Sequence, residues 1–278
     1  MAPAASAGFR RPPAPRRHNA GMNTLAERLG TRWPLIQAPM AGSQGSALAL
    51  AVGAAGALGS LPGALLAPEA LRAELARLAA SGLPYNVNFF CHVPPAPDAA
   101  ADTTWRAALA PYYREFGLDA SAVPAGPGRV PFSAAAAELL AEFRPPVVSF
   151  HFGLPAPELL AQVKRWGALV LSSATTLPEA LWLEEHGADA VIAQGLEAGG
   201  HRGHFLSMDL SEQLGTLALV PQLVARLRVP VIAAGGVADA AGVRAVMALG
   251  AAGVQVGTAY LCSHESLASA ATVGTTTL

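Results

Sequence analysis

The stretch from Ala190 to His204, AVIAQGLEAGGHRGH, holds the densest set of groups that could do chemistry. A short apolar run ends at Gln194 and opens into Gly195, Gly199, Gly200 and Gly203, with His201 and His204 between and after them. The run has the composition of a buried parallel strand. Glycines just beyond it let backbone lie against a bound molecule where a side chain would intrude. A plain strand-to-helix turn needs one or two glycines, so four between 195 and 203 with two histidines read better as a ligand-contacting loop. The histidines are three apart and lack the further ligands that a metal ion would need. No metal site is expected, and His201 and His204 read as hydrogen-bonding groups near the edge of a ligand.

Other apolar runs end in polar or glycine residues too. One ends Ala38-Pro39-Met40, one carries Asn88, and one ends Ser149-Phe150-His151-Phe152-Gly153. Two more end Ala234-Gly235-Gly236 and Gln255-Val256-Gly257-Thr258. These are amides, hydroxyls, glycines and a histidine, without a carboxylate cluster. Such a set suits a neutral hydrogen-bonding bed for a flat heterocycle and a phosphate, not a metal or a glycosidase carboxylate pair. Gly235, Gly236, Gly257 and Thr258 fall where backbone N–H groups and a hydroxyl can hold a dianion. Around His151, strand alternation puts Ser149, His151 and Gly153 on one side and Phe150 and Phe152 on the other. If the phenylalanines face helices, His151 points inward, where it can serve as acid, base or anion anchor.

The elements that must position these residues follow a regular order. Apolar runs at Leu35–Met40, Ala57–Pro62, Tyr85–Phe90, Val147–Phe152, Ala168–Ala174, Ala190–Gly195, Pro230–Gly236 and Gly253–Leu261 predict eight strands. Helical stretches such as Pro68–Ala80, Pro157–Trp166, Leu177–His186 and Ala240–Leu249 separate them. Parallel strands need crossover helices, so this alternation predicts an α/β fold, a (β/α)8 TIM barrel with its site at the C-terminal strand ends. A doubly wound sheet is the alternative. The long segment 91–146 after the third strand, with a helix around Trp105–Phe116, reads as a lid or substrate-side insertion. Along the eighth strand the outward set Val254, Val256 and Tyr260 is expected to lie partly uncovered.

Composition bounds the rest. The 278 residues are 52% hydrophobic and 13% charged, with a net charge of −1, which argues for a large core and against nucleic acid or an anionic membrane as partner. Lys164 is the sole lysine. Cys91 and Cys262 form no CxxC pair, which fits a reducing, cytoplasmic setting. No apolar run is long enough to span a membrane without interruption by glycine. Residues 1–21, rich in Pro, Ala and Arg, read as a disordered extension, and 22–278 as the barrel.

Taken together, Gln37-Ala38-Pro39-Met40-Ala41-Gly42, the Asn88 strand, Ser149-Phe150-His151-Phe152-Gly153, Gln194 through Gly203, Ala233–Val237 and Gln255–Thr258 resemble the nitronate monooxygenases, formerly called 2-nitropropane dioxygenases. The resemblance runs from about Leu25 to the C-terminus, and the Ser-Phe-His-Phe-Gly-Leu-Pro run is most similar to the class oxidising propionate 3-nitronate. It implies an FMN-dependent barrel with an added helical domain, oxidising alkyl nitronates with O2 to carbonyl compounds and nitrite or nitrate. It implies FMN contacts from Asn88, Gln194, Gly199, Gly236 and Gln255–Thr258, with Met40 against the flavin and His151 catalytic. Gly200 and Gly235 join the cofactor set as neighbours in the same loops. Tyr112, Tyr113 and His201 are the substrate-side candidates. Family members continue beyond the eighth strand, so against the family this chain reads as C-terminally shortened, with the closing helix and part of the substrate pocket expected to be missing. The expected partners are a small-molecule substrate and O2, in a monomer or homodimer. Competing readings are an FMN- and NAD(P)H-dependent enoyl-thioester reductase and a non-catalytic flavin-binding barrel.

Overall fold

The computed structural model describes residues 24–119, 122 and 130–269. The extension at 1–21 falls outside them. Among the described residues, eight strands run parallel: β1 Leu35–Gln37, β2 Gly59–Pro62, β3 Tyr85–Phe90, β4 Val147–His151, β5 Leu169–Ala174, β6 Ala190–Gln194, β7 Val231–Ala234 and β8 Gly253–Val256. The helices are α1 Leu25–Leu29, α2 Ser46–Ala54, α3 Pro68–Ala80, α4 Ala99–Glu115, α5 Ala134–Phe143, α6 Pro157–Arg165, α7 Leu177–Glu185, α8 Thr216–Arg226 and α9 Ala240–Ala248. Most helix starts follow from local sequence. Asp98, Ser133, Thr176 and Asp239 cap α4, α5, α7 and α9 with side-chain oxygens, and proline opens α3 and α6.

The sheet closes on itself. Consecutive strands pair from β2 round to β8, and β8 pairs in turn with β1. That β1–β8 ladder excludes the doubly wound alternative. The last seam, between β1 and β2, is a single bridge between Ile36 and Leu58. Two backbone hydrogen bonds hold it, Gln37 N to Leu58 O and Leu58 N to Leu35 O, both 2.9 Å. Side chains reinforce it. Ser60 N donates to Gln37 Oε1 at 2.9 Å, and Gln44 Nε2 donates to Ser60 O at 2.6 Å.

Alternation along the strands sorts residues between wall and bore. Outward side chains such as Val87, Phe89, Val148, Phe150 and Val170 pack under α3, α5 and α6. Val191, Ala193, Val231, Ala233, Val254 and Val256 do the same with the Leu219, Leu223 and Val246 side chains of α8 and α9. Inside the barrel the floor is apolar: Ile36, Leu58, Val147, Leu171, Ala190, Ile192 and Ile232, closed from below by Leu25 and Leu29 of α1. Toward the C-terminal ends the inward residues turn polar, with Ser60, Asn86, Asn88, Ser149, Ser173 and Gln194 all buried. The bore is therefore a sealed apolar base under a polar mouth, the arrangement that sets the site at the mouth.

Two expectations are corrected here. The eighth strand stops at Val256 rather than continuing to Leu261, because Gly257 turns the chain into a 3-10 segment at Thr258–Cys262. The outer face of β8 is also not left wet. Val254 is 1% and Val256 7% exposed, and both sit in the core shared with α8 and α9. The segment 91–146 divides in two. α5 buries Ala137, Leu139 and Leu140 against the wall as an ordinary crossover helix, whereas α4 buries no side chain.

Candidate functional site

The site is built on the ends of β3, β4 and β6. Ser149 of β4 turns inward as alternation predicts, and its Oγ accepts from the Nδ2 of both Asn86 and Asn88 at 2.9 Å. Asn88 Nδ2 also donates to Ser149 O at 3.2 Å. These bonds fix the amide of Asn88 at the rim. Phe150 turns outward and is fully buried, with its ring 5.2 Å from that of Phe132.

His151, two residues on from Ser149, reaches the mouth. Its ring lies 6.0 Å from that of Phe90 and 4.6 Å from that of Phe152. Phe152 does not follow the expected parity. The strand ends at His151, and Phe152 takes a positive φ of 67° that swings its ring to the His151 side. A bulky residue in that region is strained and persists only where its surroundings hold it. Here the rings of Phe90, His92, His151 and His201 surround it.

The His151 Nε2 lies 3.1 Å from the carbonyl oxygen of His201. A carbonyl only accepts, so Nε2 carries the proton and Nδ1 holds the lone pair. Burial drives the pKa of His151 down to about 4, against the opposing pull of that backbone hydrogen bond. At neutral pH the ring is therefore neutral, with one nitrogen committed and the other basic.

The loop after β6 wraps this ring. Gln194 Nε2 donates to the same His201 carbonyl at 2.8 Å, and Gly203 N donates to Gln194 Oε1 at 2.7 Å. Gly203 passes so close that a β-carbon on it would meet His151 Cε1 at 2.7 Å and Gln194 Oε1 at 3.0 Å. The glycine at 203 is thus required by contact, not by backbone angle. Arg202 turns away from the ring and donates to the carbonyls of Gly195, Leu196 and Ala198, which stiffens the loop from behind. His201 thus contributes its carbonyl, while its residue as a whole stays exposed.

Two carboxylates at this end of the barrel escape a reading of strand-terminal residues. Glu179, on α7, is 1% exposed, and its oxygens accept from Thr175 N, Thr175 Oγ1, Phe205 N and Leu206 N. Glu197 accepts from the backbone N–H and hydroxyl of Thr216 at the start of α8, at 2.8 and 2.9 Å. Burial pushes its pKa up, but the hydrogen bonds from Thr216 outweigh burial and leave it lowered. In sequence Glu179 is visible only as an acid in the first turn of a helix. Nothing local marks it as a partner for a loop 26 residues away.

The rest of the predicted set lines the β7, β8 and β1 ends. Gly235 and Gly236 both have positive φ, 114° and 69°, and lie against Ala198 and Glu197. A β-carbon on Gly257 would stand 3.7 Å from the Met40 sulfur, and one on Gly199 would stand 3.9 Å from Thr258 Oγ1. The backbone N–H groups of Gly236 and Thr258 donate to no acceptor among the described residues. Gln255 Oε1 is buried without a hydrogen-bond partner. A buried amide oxygen left unpaired, beside free N–H groups and open glycine backbone at Gly200, fits a planar hydrogen-bonding cofactor with a phosphate. No cluster of metal-ligating side chains occurs among the described residues. Tyr112 is 58% exposed and Tyr113 half-buried on α4. No helix among the described residues is long and apolar enough to cross a membrane.

Comparison with known proteins follows the same lines. A family model described as nitronate monooxygenase matches residues 23–277. The nitronate monooxygenases of Paraburkholderia phytofirmans and Pseudomonas aeruginosa are each 44% identical over 252 residues, covering 88% and 87% of this chain and 68% and 70% of theirs. Among solved structures, nitroalkane oxidase from Streptomyces ansochromogenes superposes with a TM-score of 0.79 at 39% identity, over 88% of this chain and 70% of that one. FabK from Thermotoga maritima gives 0.65 at 29% identity, over 88% and 64%. At that identity over that span, the chain belongs to the nitronate monooxygenase family of oxidoreductases.

Proposed function

We propose that this protein binds FMN across the C-terminal strand ends and oxidises alkyl nitronates, propionate 3-nitronate among them, with O2 to carbonyl compounds and nitrite or nitrate. The observation that carries the reading is the state of His151, a neutral imidazole whose Nε2 proton is held by the His201 carbonyl in an aromatic mouth. A bound flavin supplies electron acceptance and reaction with O2. The protein supplies the rest. Gly236 and Thr258 offer N–H groups to the phosphate, Asn88 and Gln255 offer amides to the ring system, and Gln194, whose amide is committed to the loop, borders the ring through that loop. Gly199, Gly200, Gly235, Gly257 and the backbone of Val256 complete that bed, and Met40 packs beside it. Phe90 and Phe152 keep water from the reacting carbon.

The depressed pKa favours one of two roles for His151. An anion anchor would have to be imidazolium, which this environment disfavours at neutral pH. A general base needs a neutral ring with a free nitrogen, which Nδ1 supplies. With a neutral nitroalkane, Nδ1 takes the α-proton. With a nitronate, that proton is already gone and His151 shapes the pocket. Tyr112 and Tyr113 are the substrate-side candidates on α4, which lies outside the wall.

The test is cofactor release by heat, identification of FMN by mass, and O2 uptake on adding propionate 3-nitronate. FMN with nitronate-dependent O2 uptake supports the reading. Anaerobic bleaching of the flavin by NADPH, without nitronate turnover, replaces it with the enoyl-thioester reductase. Bound flavin with neither activity replaces it with a non-catalytic barrel.

A further inference from the structure

Among the described residues the mechanism leaves a buried carboxyl group unused. Glu179 lies under the loop that wraps His151, and its two oxygens serve two different segments. Oε2 accepts from Thr175 N at 2.7 Å and Thr175 Oγ1 at 2.8 Å, in the turn after β5. Oε1 accepts from Phe205 N at 2.7 Å and Leu206 N at 3.3 Å, on the return limb of the loop after β6. A carboxylate buried this deeply is tolerated only where donors replace water, and all four donors are supplied. The division matters more than the number. One oxygen grips the barrel and the other grips the loop.

The loop is held at its other limb by Gln194, through Gly203 N and the His201 carbonyl. The Gln194 grip holds the His201 carbonyl, which accepts from His151 Nε2, and the Gly203 backbone that abuts the ring, and the Glu179 grip holds the chain two residues beyond Gly203. Phe205 adds a lateral stop, because its ring packs on Gly153 and meets the ring of Trp182 at 5.2 Å. If the return limb drifts, the His201 carbonyl drifts with it, and Nε2 loses the acceptor that fixes its proton.

We infer that Glu179 is a positioning residue for His151, setting its tautomer by clamping the loop that carries the His201 carbonyl. The inference rests on the reading of His151 as the base. Its geometry, however, can be tested without substrate. Glutamine at 179 is the informative change. A carboxamide has one acceptor oxygen, so one of the two segments would face an N–H₂ group with its own N–H donors.

The experiment is Glu179→Gln in the flavin-loaded protein, with the His151 ring followed by ¹⁵N correlation spectroscopy. Wild type should show Nε2 protonated and a titration near pH 4. The variant should show a mixture of tautomers and a titration moved further below the ordinary histidine value, because both the His201 hydrogen bond and the Glu179 charge hold it up. Its kcat for a neutral nitroalkane should fall about 10–100-fold while KM changes little, because misplacement of a reacting group by about 1 Å costs on that order. Should Glu179→Gln fail to fold, Thr175→Ala decides. It removes one of the hydrogen bonds and leaves the carboxylate in place, and it should move the same ring signals in the same direction by less. A folded Glu179→Gln with wild-type tautomer, titration and kcat overturns the inference, as does a Thr175→Ala that loses stability without moving His151. Ring signals that move in a protein without nitronate turnover would retain the clamp and discard the functional reading.

Discussion

The two sides of the barrel mouth are built on opposite principles. On the β4–β6 side most of the polar groups at the mouth are consumed by the protein itself, although His204 Nδ1 is buried without a partner there too. Gln194 spends both ends of its amide on the loop, Ser149 fixes Asn88, and Glu179 joins two segments. On the β7–β8 side they are left over, with Gln255 Oε1 buried and unpaired and the N–H groups of Gly236 and Thr258 free among the described residues. On the function proposed above, the first side is geometry set before the reaction, which costs nothing at the moment of reaction. The second has the incomplete hydrogen bonding of a surface that a ligand completes. A substitution on the first side should therefore damage chemistry or folding, and one on the second should damage binding.

The largest effect expected is at His151. His151→Asn keeps a polar side chain and removes the base, so oxidation of a neutral nitroalkane should fall about 10²–10⁴-fold with flavin content preserved. Oxidation of a preformed nitronate should fall much less. Equal losses on both substrates, measured in the same preparation, would show that proton removal is not its task. Next comes Gln194→Leu, which leaves the buried Gly203 N without its acceptor. Denaturant melts should show a loss of about 1–3 kcal/mol. An unchanged midpoint would break the contrast, because it would make Gln194 a ligand group rather than part of the frame.

The third effect is pH dependence. His151 titrates near pH 4 in the folded chain and near 6.5 when unfolded. Between those values the unfolded chain binds a proton that the folded chain does not, so stability rises with pH. The contribution is complete above about pH 6.5 and is lost as pH falls toward 4. Allowing for solvent at the mouth, about 1–2 kcal/mol should be lost across that window, and His151→Asn should flatten that part of the profile. The smallest effect expected is Gln255→Met. With the unpaired oxygen removed, the flavin-free protein should melt no lower than wild type, while flavin affinity falls about tenfold, the worth of one hydrogen bond. A clear drop in the flavin-free melting point would mean that Gln255 is structural and that the two sides are alike.

The sequence is most readable where a physical rule acts locally. All eight strands are foreseeable because each is a short apolar run bounded by glycine, proline or a capped helix, and because the crossover helices between them require parallel pairing. Alternation correctly sends Ser149 inward and Phe150 outward. It fails at Phe152, because a backbone angle of 67° ends the alternation and no local pattern announces it. It also runs too far in β8, where Val256 reads on into Tyr260 only until Gly257 turns the chain. The site is half legible. Strand-terminal groups such as His151, Gln194 and Asn88 stand at predictable places. Glu179, Glu197 and Arg202 do not, because each acts on backbone, the two acids on that of another segment and Arg202 on that of its own loop, and backbone has no signature in the sequence. Gly203 is visible in sequence as one glycine among several. Only the fold reveals that this one makes room for the histidine.

The bridge between Ile36 and Leu58 gives the cylinder a preferred line of fracture. Every other pair of neighbouring strands is joined over three or more residues, whereas here the closure relies on one bridge and on the Gln37 and Gln44 amides. Thermal breathing should begin at this line, with the Leu58 amide hydrogen exchanging with solvent ahead of those in β3 to β6. The strand that peels there is the one leading to Met40, so the barrel would unroll from the cofactor's edge, and a bound cofactor that touches Met40 would act as a rivet across the gap. Exchange at Leu58 measured with and without flavin would then report cofactor occupancy from a position deep in the wall, well below the mouth.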